Sequence, residues 1–248
     1  MAGHPTIGTT FALAAAGRLP GSLQTFVLGL GVGPTPVRLE WGPAGLRFAW
    51  MTQAYPTFGP TIDDRSAVAA ALGVEPADVV ARKPPVQVAS SGVPFLYVPL
   101  TSRAAVDHVS LDRGALRQLL SAVDLEELPL FVFSLERADD DATAYSRMLA
   151  PVFGIHEDPA TGGASGPLGG YLFHHGVLSA TQASRLVNQQ GVRMGRPSRI
   201  HVALRTLDGA PQDLQVGGEA VVVGEGTIRI QENEVTDVDF EATHSTHR

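Results

Sequence analysis

The chain has 248 residues, and its 18 basic and 25 acidic side chains give a formal net charge of −7. With 44% hydrophobic and 17% charged residues, it has the apolar content of one or two folded domains and not the composition of whole-chain disorder. An acidic balance without a basic run argues against a nucleic-acid partner, and the absence of cysteine removes disulfides, thiolate metal sites and thiol acid/base pairs.

No apolar run approaches the ~20 residues needed to cross a bilayer. The opening Met1-Ala2-Gly3-His4-Pro5 lacks a charged-then-apolar leader. The expectation is a soluble cytoplasmic protein with no membrane partner. The 27 glycines and 18 prolines are spread along the chain and predict many turns between short elements.

The first periodic segment runs from Thr9 or Thr10, as the cap, to Ala16, with Gly17 as a left-handed stop. It has no polar face, so it is expected to be covered on every side. Residues 23–30, 36–41 and 46–53 read as strands, the last two alternating across the turn Gly42-Pro43-Ala44-Gly45. That predicts an antiparallel meander. Residues 56–64 read as a linker, and a helix follows to Leu72.

Strands are expected at 86–90 and 94–100 around Ser91-Gly92, a helix capped by Asp112 to about Val123, and a buried strand at 130–135. Asp139, Asp140 and Asp141 read as a solvated turn. A second helix, apolar nearly all round, is predicted from about Ala164 to His175 with a stop at Gly176, and 179–186 reads as its extension. Strands are expected at 200–204, 219–223 and 226–230. The whole pattern is α+β.

Two loops share one form. His4-Pro5-Thr6-Ile7-Gly8-Thr9-Thr10 and Asp158-Pro159-Ala160-Thr161-Gly162-Gly163-Ala164 each place a polar residue, a proline, two residues and a glycine before an all-apolar helix. Proline fixes a turn, and glycine lets backbone approach a ligand. Helix starts present N–H groups that bind anions. Two of them facing one cleft would grip a small carboxylated molecule, with His4 and Asp158 beside it as acid/base or orienting groups. Spacing alone leaves two capped turns as an equal alternative. No Gly-Lys-Ser/Thr follows to make a phosphate loop. Gly29 to Gly33 lacks the helix of a dinucleotide site, and His174-His175 reads as a partner of the helix dipole rather than a metal pair.

Those two loops, with Ser91-Gly92-Val93-Pro94-Phe95-Leu96 and Gly195-Arg196-Pro197-Ser198-Arg199-Ile200, resemble signature segments of the phenazine-biosynthesis PhzF-like isomerase family, in the same order. The resemblance implies a two-lobed diaminopimelate-epimerase-like fold, each lobe a curled antiparallel sheet around a central buried helix. Residues 1–58 would belong to the N-terminal lobe, rejoined by C-terminal strands, 59–240 to the C-terminal lobe, and 241–248 to a frayed tail. It also implies a cofactor-independent, metal-free hydrogen shift on a small carboxylated substrate, and a homodimer.

By the same resemblance His4 and Asp158 are catalytic, and Gly3, Thr9, Glu157, Gly162, Gly163 and Ala164 contact substrate. Two departures bear on this. The family usually has serine where Gly163 stands, and its chains begin before the Gly-His-Pro loop, with strands and an acid/base glutamate. The expectation for the chain as written is therefore low isomerase activity. The alternative is an inactive homologue that binds small anions or acts in assembly.

Overall fold

A computed structural model describes residues 3–226. The first helix, α1 (Gly3–Ala15), starts seven or eight residues earlier than the threonine caps predict. Pro5 falls in its first turn, where a missing N–H costs nothing. Thr10 does not cap; its hydroxyl donates to the Thr6 carbonyl 2.8 Å away, one turn back. Gly17 does end the segment, at φ 67°. Gly3, Thr6, Ile7 and Thr10 are buried, but Thr9, Ala12 and Ala15 are exposed, so the helix is covered on one side only.

The meander is present as β1 (Thr25–Leu30), β2 (Gly33–Gly42) and β3 (Gly45–Gln53). Val37 faces Met51 and Leu39 faces Ala49 across it. The expected linker holds a strand, β4 (Thr57–Ile62), paired with β5 (Val86–Ser90). The register shifts between Phe58 and Thr61, which places Gly59 and Pro60 in a bulge on an edge strand, where proline is tolerated. Those two residues give the segment its linker-like composition.

Asp64 caps α2 (Arg65–Leu72), its carboxylate accepting from the Ala67 N–H at 2.9 Å. β6 (Pro94–Leu100) follows β5. Ser102 then caps α3 (Arg103–His108), a helix too short for its periodicity to show. Asp112 caps α4 (Arg113–Ser121) as expected. β7 (Leu130–Ser134) and β8 (Ala144–Ala150) are buried throughout. A short strand, β9 (Ile155–Asp158), leads into α5 (Gly162–His174).

The extension expected at 179–186 shrinks to α6 (Ala180–Ala183), closed by a Ser179/Gln182 capping box, and the chain turns into β10 (Leu186–Gln190). β11 (Ser198–Leu207) and β12 (Ala210–Gly218) form a hairpin. Its turn residues Asp208 and Gly209 have φ of 51° and 79°, the Asp-Gly signature of a primed turn. That signal outweighs the apolar run at 219–223, which is not a strand. Residues 227–230 and the tail lie outside the described residues.

Among the described residues the twelve strands form one sheet in the order β1-β2-β3-β12-β11-β10-β8-β7-β6-β5-β4, with β9 on β8. It is not wholly antiparallel: β6 with β7 and β8 with β10 are parallel. Each of these pairs is joined through helices, as parallel strands require. One core joins α1 and α5 to the sheet through Ile7, Leu168, Tyr171, Met51, Val202 and Val216. A second lies under α2, α3 and α4, with Leu72, Val106 and Leu116 against Leu96, Val98 and Val132. β6 serves both, sending Phe95 and Tyr97 one way and Leu96 and Val98 the other. No helix among the described residues is long and apolar enough to cross a membrane.

Ten residues of α5 are buried, Gly166 and Gly170 included. A Cβ at Gly170 would lie 2.6 Å from the Pro56 ring. Gly170→Ala is therefore expected to destabilise: overpacking of about 1–3 kcal/mol outweighs up to about 1 kcal/mol of helix propensity. A Cβ added at Gly8 in α1 would meet nothing within 4 Å, so Gly8→Ala should stabilise. Urea midpoints moving the same way in both variants would refute this account of the packing.

Candidate active site

The N-termini of α1 and α5 meet. A Cβ on Gly3 would sit 2.6 Å from the Gly162 Cα, so only glycine at both positions lets the two backbones touch. Around this junction opens a cleft of about 810 Å³. Gly3, His4, Ile7 and Gly8 form one wall, Ala160 and Gly162 another. The start of β11 and the end of β12 complete it, and Asp141 and Glu219 also line it.

His4 stands on the first turn of α1. Its Nδ1 lies 2.8 Å from the Ala160 carbonyl. A carbonyl only accepts, so Nδ1 carries a proton there, and of the two neutral tautomers this contact selects the one with its lone pair on Nε2. The same contact ties the loop before α5 to α1.

Gln190, fully buried on β10, shapes that loop. Its Nε2 donates to the Asp158 carbonyl (2.7 Å) and to Thr161 Oγ1 (2.9 Å), and its Oε1 accepts from the Thr161 N–H (3.1 Å). The Asp158 carboxylate accepts from the Thr161 hydroxyl through Oδ2 at 2.6 Å. Asp158 is half-buried beside the cleft rather than among the residues lining it. Helix geometry leaves the Gly162 and Gly163 N–H groups without intrahelical acceptors, whereas that of Ala164 is taken by the Thr161 carbonyl at 3.1 Å.

Four of the expected substrate contacts do not line the cleft, half-buried Gly163 among them. Thr9 is exposed more than a turn into α1 and does not line the cleft. Ala164 is in the core, its carbonyl accepting from Tyr97 Oη at 2.7 Å. Glu157 has both oxygens on Arg147, at 3.0 and 2.9 Å. Neighbours on a strand point to opposite faces, which turns Glu157 to Arg147 and away from the side that Asp158 faces.

Residues that no sequence motif marks as site residues also line the cleft. Arg199 and His201 share one face of β11 while Ile200, Val202 and Leu204 are buried on the other. The aspartate loop is not simply solvated: Asp140 pairs with Arg103 and Asp141 with Arg199. Both arginines are remote in sequence, so nothing local announces these pairs. His174 stacks on Phe58 with ring centroids 4.2 Å apart, and His175 Nε2 bonds Gln87 Oε1 at 2.7 Å.

Burial pushes the pKa of His201 below its ordinary value, and Arg199 adds to the effect. Burial does the same to His175, helped by His174 and Lys83. Both rings therefore take a proton more readily in the unfolded chain, where histidine titrates near ~6.5. Their contribution to stability is present above that pH and is lost as pH falls through it. The melting temperature is expected to drop between about pH 7.5 and about pH 5.5. A His175→Asn/His201→Asn double variant should drop less, and an equal drop would refute the assignment.

Comparison with known proteins agrees with this architecture. The family model for phenazine biosynthesis-like proteins, PhzC-PhzF, matches residues 1–226. The chain belongs to that family. An uncharacterized isomerase of Mesorhizobium japonicum is 31% identical over 92% of this chain and 76% of its own length. The trans-2,3-dihydro-3-hydroxyanthranilate isomerase of Pseudomonas aeruginosa is 29% identical, over 91% of this chain and 73% of its own. A crystal structure of a Bacillus anthracis phenazine biosynthesis protein of the PhzF family superposes with a TM-score of 0.78 at 22% identity, covering 93% of this chain and 76% of that one. The PhzF-type fold thus carries the cleft described above.

Proposed function

We propose that this PhzF-family chain is an isomerase that moves a proton on a small carboxylated metabolite held where α1 and α5 meet. The observation that carries the reading is the state of His4: its Nδ1–H is fixed on the Ala160 carbonyl beside two abutting helix N-termini, which leaves Nε2 to act as base and then as acid. A proton removed from one carbon and returned to another balances without an oxidant or reductant. The substrate carboxylate sits at the start of α5, where the Gly162 and Gly163 N–H groups and the helix dipole favour negative charge. Asp158, held through Oδ2 by Thr161, keeps Oδ1 to orient a hydroxyl or amino group of the substrate.

The test is solvent exchange. Trans-2,3-dihydro-3-hydroxyanthranilate, the compound named for the Pseudomonas relative, and a panel of small hydroxy and amino acids are incubated with the protein in deuterium oxide. Mass spectrometry is expected to show carbon-bound deuterium in at least one of them. Anion binding without exchange into any of them would overturn the reading.

A further inference from the structure

The residues of α1 that line the cleft are Gly3, His4, Ile7 and Gly8, the three- and four-residue spacing of one helix stripe. Gly8 therefore stands one turn beyond His4 on the same face. Glycine is the poorest helix former after proline, and inside a helix it needs a packing or functional reason. Packing supplies the reason in α5: a Cβ at Gly169 would lie 2.7 Å from Val202, and one at Gly170 2.6 Å from Pro56. At Gly8 that reason fails, because an added Cβ meets nothing within 4 Å among the described residues. The open space in front of Gly8 belongs to the cleft.

Cα–Cβ bonds in a helix tilt toward its N-terminus, so a side chain covers the turn before its own residue. A side chain at position 8 would thus lie over residue 4. The His4 ring is held through Nδ1 on the Ala160 carbonyl at 2.8 Å, which leaves Nε2 as the nitrogen to be covered. Ile7, Ile200 and Val216, all buried, also line the cleft. They make the neighbouring wall apolar, suited to a carbon skeleton rather than to charge.

We infer that Gly8 is a specificity-determining residue. Its bare Cα keeps the space over His4 open, and the size of the residue at position 8 limits how bulky a carbon skeleton can lie against Nε2. The inference rests on the cleft being the substrate site with His4 as its acid/base group, and it deepens that reading by naming the position that sets substrate size. The helix gives up stability at one residue for room beside the reacting group.

Two measurements on the intact chain test this. Diethyl pyrocarbonate acylates neutral imidazole nitrogen, and tandem mass spectrometry assigns the label to His4 among the eight histidines. Against the parent, Gly8→Leu is expected to slow labelling of His4 about tenfold and Gly8→Ala about threefold, as each lays more side chain over the preceding turn. Ala15→Leu adds bulk at the exposed far end of α1 and should change the rate less than about twofold. Calorimetry with maleate and phthalate, cis-dicarboxylates that differ by a ring, reads specificity. The parent should bind both. The phthalate-to-maleate affinity ratio is expected to fall about tenfold in Gly8→Leu and about threefold in Gly8→Ala, and to hold in Ala15→Leu.

Urea midpoints establish that each variant is folded, and Gly8→Ala carries both comparisons alone if Gly8→Leu is not. The inference is overturned if His4 labels as fast in the folded position-8 variants as in Ala15→Leu. It is equally overturned if their affinity ratio stays at the parental value, or if neither dicarboxylate binds the parent. Failure of solvent exchange would remove the catalytic reading while leaving the labelling and the titrations to decide this one.

Discussion

His4→Ala is expected to lower kcat for solvent exchange by about 10²–10⁴-fold, the usual contribution of a positioned acid/base group. KM should change less than about threefold, because the interaction lost is one made in the transition state. Asp158→Asn should cost less, about tenfold in kcat/KM, since the amide oxygen can still accept from the Thr161 hydroxyl while the charge is gone. The loop itself should survive both changes, because Gln190 holds it from the buried side through three hydrogen bonds. Gln190→Ala is the contrasting case: it leaves both chemical groups in place and lets the loop drift, so KM and kcat are expected to worsen together. If His4→Ala keeps more than about a tenth of the parental rate, the proton is carried by another residue.

What the sequence discloses depends on how local each signal is. The meander, the caps at Asp64 and Asp112, and the αL stops at Gly17 and Gly176 each rest on a few adjacent residues, and all are present. β4 is hidden because its bulge contains Gly59 and Pro60. β10 is hidden because Leu186 continues the apolar spacing of the preceding helix. The Asp-Gly turn that makes the β11–β12 hairpin is itself legible, but the run of valines after it competes as the more obvious strand. In the site, the matched loops pair Gly8 with Gly162, but α1 already starts at Gly3, so it is Gly3 that meets Gly162 while His4 reaches Ala160. Strand alternation, applied to the four residues of β9, already separates Glu157 from Asp158. Gln190, Arg103 and Arg199 cannot be found in this way, because their partners come from elements far along the chain.

Glu157→Ala is expected to destabilise the protein by about 3–5 kcal/mol, because it strands a buried guanidinium. Arg147 and Glu157 are each only 8% exposed and are joined by two hydrogen bonds. Arg147 Nη1 also donates to the carbonyls of Val106, Asp107 and Val109, at 3.0, 3.3 and 2.9 Å, satisfying the end of α3. Removing the carboxylate leaves the cation with carbonyl dipoles alone in a site with little water. Converting both partners, as Arg147→Met with Glu157→Leu, removes the stranded charge and should recover part of the loss. Recovery stays incomplete because the three carbonyls then lack their donor. Urea unfolding of the two variants checks the order. Glu157→Gln, assayed where it is fully folded, separates this structural role from substrate contact. Its KM should match the parent, whereas a rise above about tenfold at parental stability would return Glu157 to the substrate-binding set.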